Sequence, residues 1–123
     1  MTARLMSVAE HRRIIARDMS EDALLAQVRS AALTLGWIVY HTHDSRRSEP
    51  GFPDLVLVNP RQGRILWREL KKEKGRVSVE QRKWLDALRA AGQDVGVWRP
   101  ADLLEERIVA ELVAQPAPEG SNV

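Results

Sequence analysis

Two acids and a lysine, Asp54, Glu69 and Lys71, are of the residue types that hydrolytic metal sites use. Carboxylate oxygens are preferred ligands of Mg²⁺ and Mn²⁺, ions that keep several waters and bind phosphate oxygens. A lysine beside such an ion can orient or help to deprotonate a water, and can stabilise charge in the transition state of phosphoryl transfer. The alternative is an ion-paired trio at a sheet edge, in which Lys71 neutralises two acids that would otherwise repel each other.

The three residues lie in a segment that predicts a β-hairpin, GFPDLVLVNPRQGRILWRELKK, residues 51–72. Its apolar residues predict strands at Asp54–Val58 and Arg64–Lys71, and NPRQG supplies the turn. Because alternate residues of a strand share a face, Glu69 and Lys71 point to the same side of the predicted sheet.

The length of the hairpin loop decides whether the two acids meet. A four-residue loop pairs Asn59 with Arg64 and places Asp54 opposite Glu69, whereas a five-residue loop separates the two carboxylates. The apolar pattern favours four residues, since this register groups Val56, Val58, Ile65 and Trp67 on one face and Leu55, Leu57, Leu66 and Leu70 on the other. Arg68 is the exception on the second face.

Helices and strands are also predicted on both sides of the hairpin. The helices begin at Ser20, Ser78 and Ala101 and end near Gly36, Gly92 and Val113, and the further strands are Trp37–His43 and Asp94–Trp98. The resulting order αβββαβα is typical of a mixed α/β domain with one small sheet. We predict a basic N-terminal arm or short helix at residues 1–19, a single domain at 20–113 and a disordered tail at 114–123.

Composition excludes several classes of protein. The 123 residues are 44% hydrophobic, enough for one domain with its own core, and they include no cysteine, which rules out disulfides and thiolate chemistry. No apolar run approaches the roughly 20 residues that cross a bilayer, and the N-terminal segment lacks the apolar stretch of a signal peptide. We therefore expect a cytoplasmic protein without a membrane partner.

Positive charge is concentrated in the middle of the chain. Residues 61–83 contain nine Lys or Arg and three Glu, whereas residues 84–123 contain three Arg and seven acids. The middle segment could therefore face a polyanion, although a solvated charged face would show the same pattern.

Three motifs together resemble a known nuclease family. PD at residues 53–54 and ELK at residues 69–71, preceded by Gly51, resemble the signature of the PD-(D/E)xK nuclease superfamily. GFPDLVLV, ELK and VSVEQRKWLDALRAAGQDVGVW resemble, in this order, the VRR-NUC family of virus-type replication and repair nucleases. The resemblance covers about Ser20 to Trp98. It implies a restriction-endonuclease-like core of αβββαβ order, with a small mixed sheet flanked by helices.

The resemblance also implies roles for individual residues. Asp54, Glu69 and the backbone carbonyl of Leu70 would bind Mg²⁺ or Mn²⁺, and Lys71 would lie beside the attacking water. Glu21, near the start of the first helix, could add to the metal site; the alternative is a first-turn acid that the helix dipole stabilises.

Gln81 matches the glutamine that the family places after the ExK strand. Ser78 and Gln81 also have the spacing of a capping box, so a purely structural role is the alternative. The two roles are compatible, because Gln81 lies on the helix face that is predicted to point towards the sheet.

Basic residues on either side of the hairpin are candidates for phosphate contacts. They are Arg46, Arg47, Lys72, Lys74 and Arg76. His41 and His43, at the end of the first strand, could also contact a phosphate or the water of a metal, although a solvent-exposed strand end is the alternative.

The function implied by the resemblance is that of a Mg²⁺- or Mn²⁺-dependent endonuclease acting on DNA without sequence preference. Stand-alone viral-type members of the family imply branched DNA, especially four-way (Holliday) junctions, cut by a homodimer in the host cytoplasm. The alternatives are a nuclease acting on flaps, nicks or ends, and a DNA-binding module of the same fold without catalysis.

Overall fold

A computed structural model of the chain describes residues 5–42 and 49–114, which form helices and strands. They are α1 Val8–Asp18, α2 Glu21–Thr34, β1 Ile38–His41, β2 Leu55–Asn59, β3 Arg64–Leu70, α3 Val79–Ala90, β4 Asp94–Trp98, α4 Pro100–Leu104 and α5 Arg107–Val113. His43, Arg46, Arg47 and the predicted tail beyond Ala114 lie outside the described residues. Among the described helices, none is long and apolar enough to cross a membrane.

The four strands form one mixed sheet in the order β1-β2-β3-β4. The first three strands are antiparallel neighbours, and α3 carries the chain across the sheet so that β4 pairs in parallel with β3. From α2 to β4 the elements follow the predicted αβββαβ order, which is thereby confirmed.

The hairpin has the predicted register. Asn59 pairs with Arg64 and Leu55 with Arg68, so the loop holds four residues. The Asn59 side chain determines this length, because its Oδ1 accepts hydrogen bonds of 3.1 Å from the amides of Arg61 and Gln62. Strand parity therefore follows from a local turn.

The apolar core lies between one face of the sheet and helices α2 and α5. Leu55 and Leu66 of the sheet, together with Leu24 of α2, are fully buried there. The other members are Val28, Ala32, Trp37, Leu57, Leu70, Trp98, Ile108 and Leu112. Every leucine assigned to this face of the hairpin from sequence is in the core.

Arg68 occupies this apolar face because it has partners there. Its side chain is 3% exposed and donates to Asp94 Oδ1 at 2.8 Å and Glu111 Oε1 at 2.9 Å. The guanidinium also lies 5.0 Å from the centre of the Trp98 ring. The arginine thus links β3, β4 and α5, and its burial is compensated by two carboxylates.

The C-terminal part differs from prediction, since the single helix expected from Ala101 to Val113 is wrong. Two short helices, α4 and α5, are separated by Glu106 in the left-handed conformation, φ 63°. The helices differ in their main helix neighbour: α4 packs mainly against α1 and less against α2, whereas α5 packs against α2. The chain therefore changes direction between them, which allows Ile108 and Leu112 to enter the core.

Candidate active site

Asp54 and Glu69 converge at one end of the β2–β3 pair. Asp54 immediately precedes β2, and continuing the hairpin register by one residue places it opposite Glu69. Two hydrogen bonds fix the position of Asp54: its Oδ2 accepts from the Leu70 amide at 2.8 Å, and its carbonyl accepts from the Thr42 amide at 2.9 Å. The predicted approach of the two acids is present in the fold.

The Glu69 carboxyl group is 2% exposed and has one unsatisfied oxygen. Its Oε1 accepts from Gln81 Nε2 at 3.1 Å, whereas Oε2 has no hydrogen-bond donor among the described residues. Buried polar atoms in native proteins nearly always have a partner. The free oxygen therefore indicates a position where a proton or a ligand is expected.

The pKa of the Glu69 carboxyl is raised from 4.5 to about 9, mainly by burial. A hydrogen bond with Asp54 and repulsion from its charge contribute to this rise in pKa, the Lys71 ammonium opposes it, and Glu21 adds a smaller repulsion. Without a bound cation, Glu69 thus keeps a proton at neutral pH. A cation between the two carboxyl groups would take the place of that proton.

The donor set fits Mg²⁺ or Mn²⁺. Asp54 and Glu69 offer hard carboxylate oxygens, of which Oε2 of Glu69 is buried and unpaired, and the Leu70 backbone lies between Glu69 and Lys71 at the strand end. The described residues contain no cluster of three or more His, Asp or Glu side chains that could form a complete cage. Mg²⁺ commonly binds through one or two carboxylates and retains its waters, so a pair is sufficient.

Glu21 lies at the exposed start of α2 and acts on Glu69 through its negative charge. Its negative charge raises the pKa of Glu69, which places it in the surroundings of the site. Ser20 caps the same helix end by accepting from the Ala23 amide at 3.0 Å.

Gln81 contributes to the helix cap and contacts Glu69 at the same time. Its side-chain Oε1 accepts from the Ser78 backbone amide at 2.8 Å. Its backbone amide donates to Ser78 Oγ at 3.1 Å, which completes the capping box. With Oε1 used in this way, Nε2 is directed at Glu69. The cap thereby fixes the orientation of the group that contacts the buried carboxyl.

Lys71 follows β3 and is partly buried, and its amide donates to the Trp98 carbonyl at 3.1 Å. Lys72, Lys74 and Arg76 are exposed in the segment that follows. This segment borders a cleft of about 480 Å³ that is lined by Glu10, Arg13, Ile14, Arg17, Glu73 and Lys74. His41 is partly buried at the end of β1.

The amino-acid sequence matches the VRR-NUC domain family over residues 3–102. The chain belongs to the VRR-NUC family. The matched range includes α1, which lies outside the part of the chain that carries the motif resemblance.

Two similar proteins accompany this match. A solved structure described as a VRR_NUC domain aligns with a TM-score of 0.62 and 24% identity over 72% of this chain and 94% of that chain, which shows a shared fold. The Fanconi-associated nuclease 1 homolog of Schizosaccharomyces pombe is 36% identical over 56 residues, 46% of this chain and 8% of that protein. The chain therefore spans a small part of this relative. Membership of the family supports a nuclease acting on DNA.

Gly51 allows two segments of this VRR-NUC domain to approach closely. The sequence motif alone did not explain why this position is a glycine. It has φ +84°, and a Cβ atom added there would lie 2.3 Å from the carbonyl carbon of Glu80 and 2.6 Å from the amide nitrogen of Gln81. The turn before Asp54 thus touches the first turn of α3, and only glycine permits this approach. The contact couples the Asp54 side of the site to the Gln81 side.

Substitution of Gly51 by alanine is expected to destabilise the domain by roughly 2–4 kcal/mol, because backbone strain and a backbone clash add together. Gly92→Ala is the matched control: its φ is +81°, and an added Cβ would meet nothing within 4 Å. It should cost only about 1–2 kcal/mol. Urea unfolding monitored by tryptophan fluorescence provides both values. Equal losses in the two variants would contradict the role assigned to the Gly51 contact.

Proposed function

We propose that this VRR-NUC protein is a Mg²⁺- or Mn²⁺-dependent endonuclease that hydrolyses phosphodiester bonds in branched DNA, four-way junctions in particular, as a homodimer. The observation that supports this proposal most strongly is the buried Glu69 carboxyl group, which has one oxygen unpaired and lies against Asp54. A sheet that only needed to be stable would gain nothing from two adjacent acids at this position.

Each residue of the site would have its own part in phosphodiester hydrolysis. Asp54 and Glu69 would hold the cation, with the Leu70 carbonyl as a third oxygen and Glu21 at the margin. A bound divalent ion supplies Lewis acidity that makes water a nucleophile near neutral pH and offsets charge on the phosphate. Lys71 would orient the water that attacks phosphorus and stabilise the additional negative charge as the P–O bond to the leaving oxygen breaks. That oxygen leaves with a proton from solvent.

Gln81 would act on Glu69 rather than on DNA. Its Nε2 donates to Glu69 Oε1, which leaves the buried Oε2 for a cation. The carboxyl group is therefore fixed in one orientation before a cation binds, which reduces the ordering cost of forming the site.

DNA would be bound mainly through its phosphates. Lys72, Lys74 and Arg76 are exposed directly after Lys71, and Lys74 lines the same cleft as Arg13 and Arg17 of α1. Arg46 and Arg47 are proposed to contact phosphates from the other side. Contacts of this kind do not distinguish bases and weaken steeply with salt.

The homodimer follows from the geometry of a junction, in which two strands must be cut. The described residues form one candidate site, so a two-fold pair would supply the second. Ile38, Tyr40 and Ile65 are 64%, 60% and 45% exposed and share one sheet face beside the edge strand β1. We propose that a second copy covers these side chains.

A panel of DNA substrates tests this function. Purified protein should cut a synthetic four-way junction at paired positions in Mg²⁺ and leave linear duplex intact. It should lose activity in EDTA and elute as a dimer in light-scattering chromatography.

Asp54→Asn is the matched variant, because the Oδ1 of the asparagine can still accept from the Leu70 amide. This variant should cut the junction at least about 100-fold more slowly than the wild type. Preferred cutting of flaps, nicks or ends would favour the narrower alternative. Binding without cutting would indicate a silent module, and Asp54→Asn with wild-type activity would end the proposal.

A further inference from the structure

Arg99, in the short segment between β4 and α4, donates to three backbone carbonyls with one guanidinium nitrogen. Its Nη1 lies 2.7 Å from the carbonyl oxygen of Lys72, 3.2 Å from that of Glu73 and 2.8 Å from that of Gly75. These carbonyls belong to the segment directly after Lys71. The arginine therefore fixes the backbone of residues 72–75, which will be called the post-lysine loop.

A second group fixes the same loop to the same part of the fold. Glu73 Oε1 accepts from the Ala101 amide at 3.1 Å, while Asp102 Oδ2 accepts from the Arg99 amide at 2.7 Å. The loop closes on itself through the Gly75 amide, which donates to the Lys72 carbonyl at 3.0 Å. The post-lysine loop is thus a tight turn anchored at the start of α4.

The anchored loop lies close to the side chain of Lys71. A Cβ added to Gly75 would lie 3.6 Å from Lys71 Cδ, an ordinary van der Waals distance, so the aliphatic part of the lysine passes beside this glycine. The Lys71 amide also donates to the carbonyl of Trp98, the residue before Arg99. The backbone of Lys71 is therefore held by Trp98, and the loop that Arg99 anchors lies beside its side chain.

We propose that Arg99 is a positioning residue for Lys71, which keeps the post-lysine loop folded against the lysine and so restricts the directions its ammonium group can take. The inference rests on the proposed function of Lys71 in DNA hydrolysis. A free lysine side chain has many rotamers, and a group that must meet a phosphate at a fixed place benefits from having few. The cationic head of Arg99 is required because three acceptors need a strong donor at one point.

The test compares Arg99→Met with Arg99→Lys. Methionine removes the donor, so hydrogen–deuterium exchange at the Gly75 amide, measured in EDTA, should accelerate at least about 10-fold, and single-turnover junction cleavage should slow roughly 10- to 100-fold. KM should remain within about 3-fold, because the loop cations are still present. Lysine carries three donors on one nitrogen and should restore exchange protection and most of the rate.

Arg89→Met is the matched control, since it removes an exposed cation of α3 that bonds to Asp86 and, among the described residues, makes no hydrogen bond or ion pair with the loop or with its anchor Asp102. Its exchange at Gly75 and its cleavage rate should equal those of the wild type. Glu73→Ala is a second test of the loop from the other side, and is needed if Arg99→Met unfolds: it should accelerate exchange at Gly75 and slow cleavage by a smaller factor.

The two readouts separate failure of this inference from failure of the proposed function. A wild-type protein that cuts none of the DNA substrates ends both the nuclease proposal and the inference. A wild-type protein that cuts DNA, while Arg99→Met or Glu73→Ala releases the loop without slowing single-turnover cleavage, ends only the role of Arg99. Unchanged exchange at Gly75 in a folded Arg99→Met protein would also overturn it.

Discussion

Substitution of Glu69 by glutamine is expected to abolish DNA cleavage and, at the same time, to stabilise the metal-free protein. Glutamine has nearly the same shape, and its Oε1 can still accept from Gln81 Nε2 as in the wild type. Its amide nitrogen can donate to Asp54, which lies within hydrogen-bonding distance of this side chain. The substitution removes an acid that is buried beside another acid, but also removes the oxygen that a divalent cation needs. Cleavage should fall by roughly 1,000-fold or more.

The gain in stability has a defined pH dependence. Below pH 4.5 the Glu69 carboxyl is protonated in both the folded and the unfolded chain; above that pH the unfolded chain loses the proton, whereas the folded protein keeps it until pH about 9. The stabilising effect of the raised pKa is therefore present at low pH and lost progressively as pH rises through this window. Glu69→Gln cannot titrate, so its free energy of unfolding should fall less steeply between pH 5 and 9.

Urea unfolding in EDTA at several pH values measures this difference. At pH 8 the variant should be more stable by roughly 1–3 kcal/mol, which corresponds to an increase of about 3–10 °C in Tm. Glu80→Gln, at an exposed position on the first turn of α3, should leave cleavage unchanged and lower the stability by at most about 1 kcal/mol, because a first-turn acid interacts favourably with the helix dipole. A Glu69→Gln protein that is less stable than wild type at pH 8 would show that the buried acid is not strained by its surroundings.

The convergence of the two acids could be predicted because it depends on local chemistry. An asparagine that bonds the next two amides fixes a four-residue loop, and strand parity then determines which residues lie opposite each other. The cap of α3 was predictable for the same reason, since Ser78 and Gln81 are three residues apart. The helix face also predicted that Gln81 points towards the sheet, whereas its contact with Glu69 is seen only in the structure.

Features that depend on distant parts of the chain were not predictable in this way. The bonds from Arg99 to the post-lysine loop join residues that are 24 to 27 positions apart, and no spacing rule connects them. The break at Glu106 has no glycine or asparagine to indicate it; it lies where the chain passes from α4, which packs mainly against α1, to α5, which packs against α2. Arg68 seemed out of place until Asp94 and Glu111 were brought beside it by β4 and α5. Tertiary contacts outweigh local pattern at each of these positions.

Lys71 lies near the two acids, but other groups hold their carboxyl groups in position. The catalytic contribution of Lys71 can therefore be tested by substitution. Asp54 is held by the Leu70 amide and Glu69 by Gln81, so removal of the ammonium group leaves both carboxyl groups in place. Methionine keeps the aliphatic part of the side chain that packs beside Gly75. Lys71→Met should therefore fold normally and isolate the contribution of the charge.

Single-turnover cleavage of a four-way junction by Lys71→Met is expected to be roughly 1,000-fold slower than that of the wild type, because the charge that develops on the phosphate loses the ammonium group proposed to stabilise it. Junction affinity in EDTA should change by less than about 5-fold, since one phosphate contact at most is lost. Lys72→Met is the informative contrast: the next lysine is exposed, and its removal should weaken binding at 150 mM salt while leaving the rate at saturating protein within about 3-fold. If both lysine variants lost affinity and rate to the same extent, Lys71 would be one more phosphate contact, and the site would have to orient its water by other means.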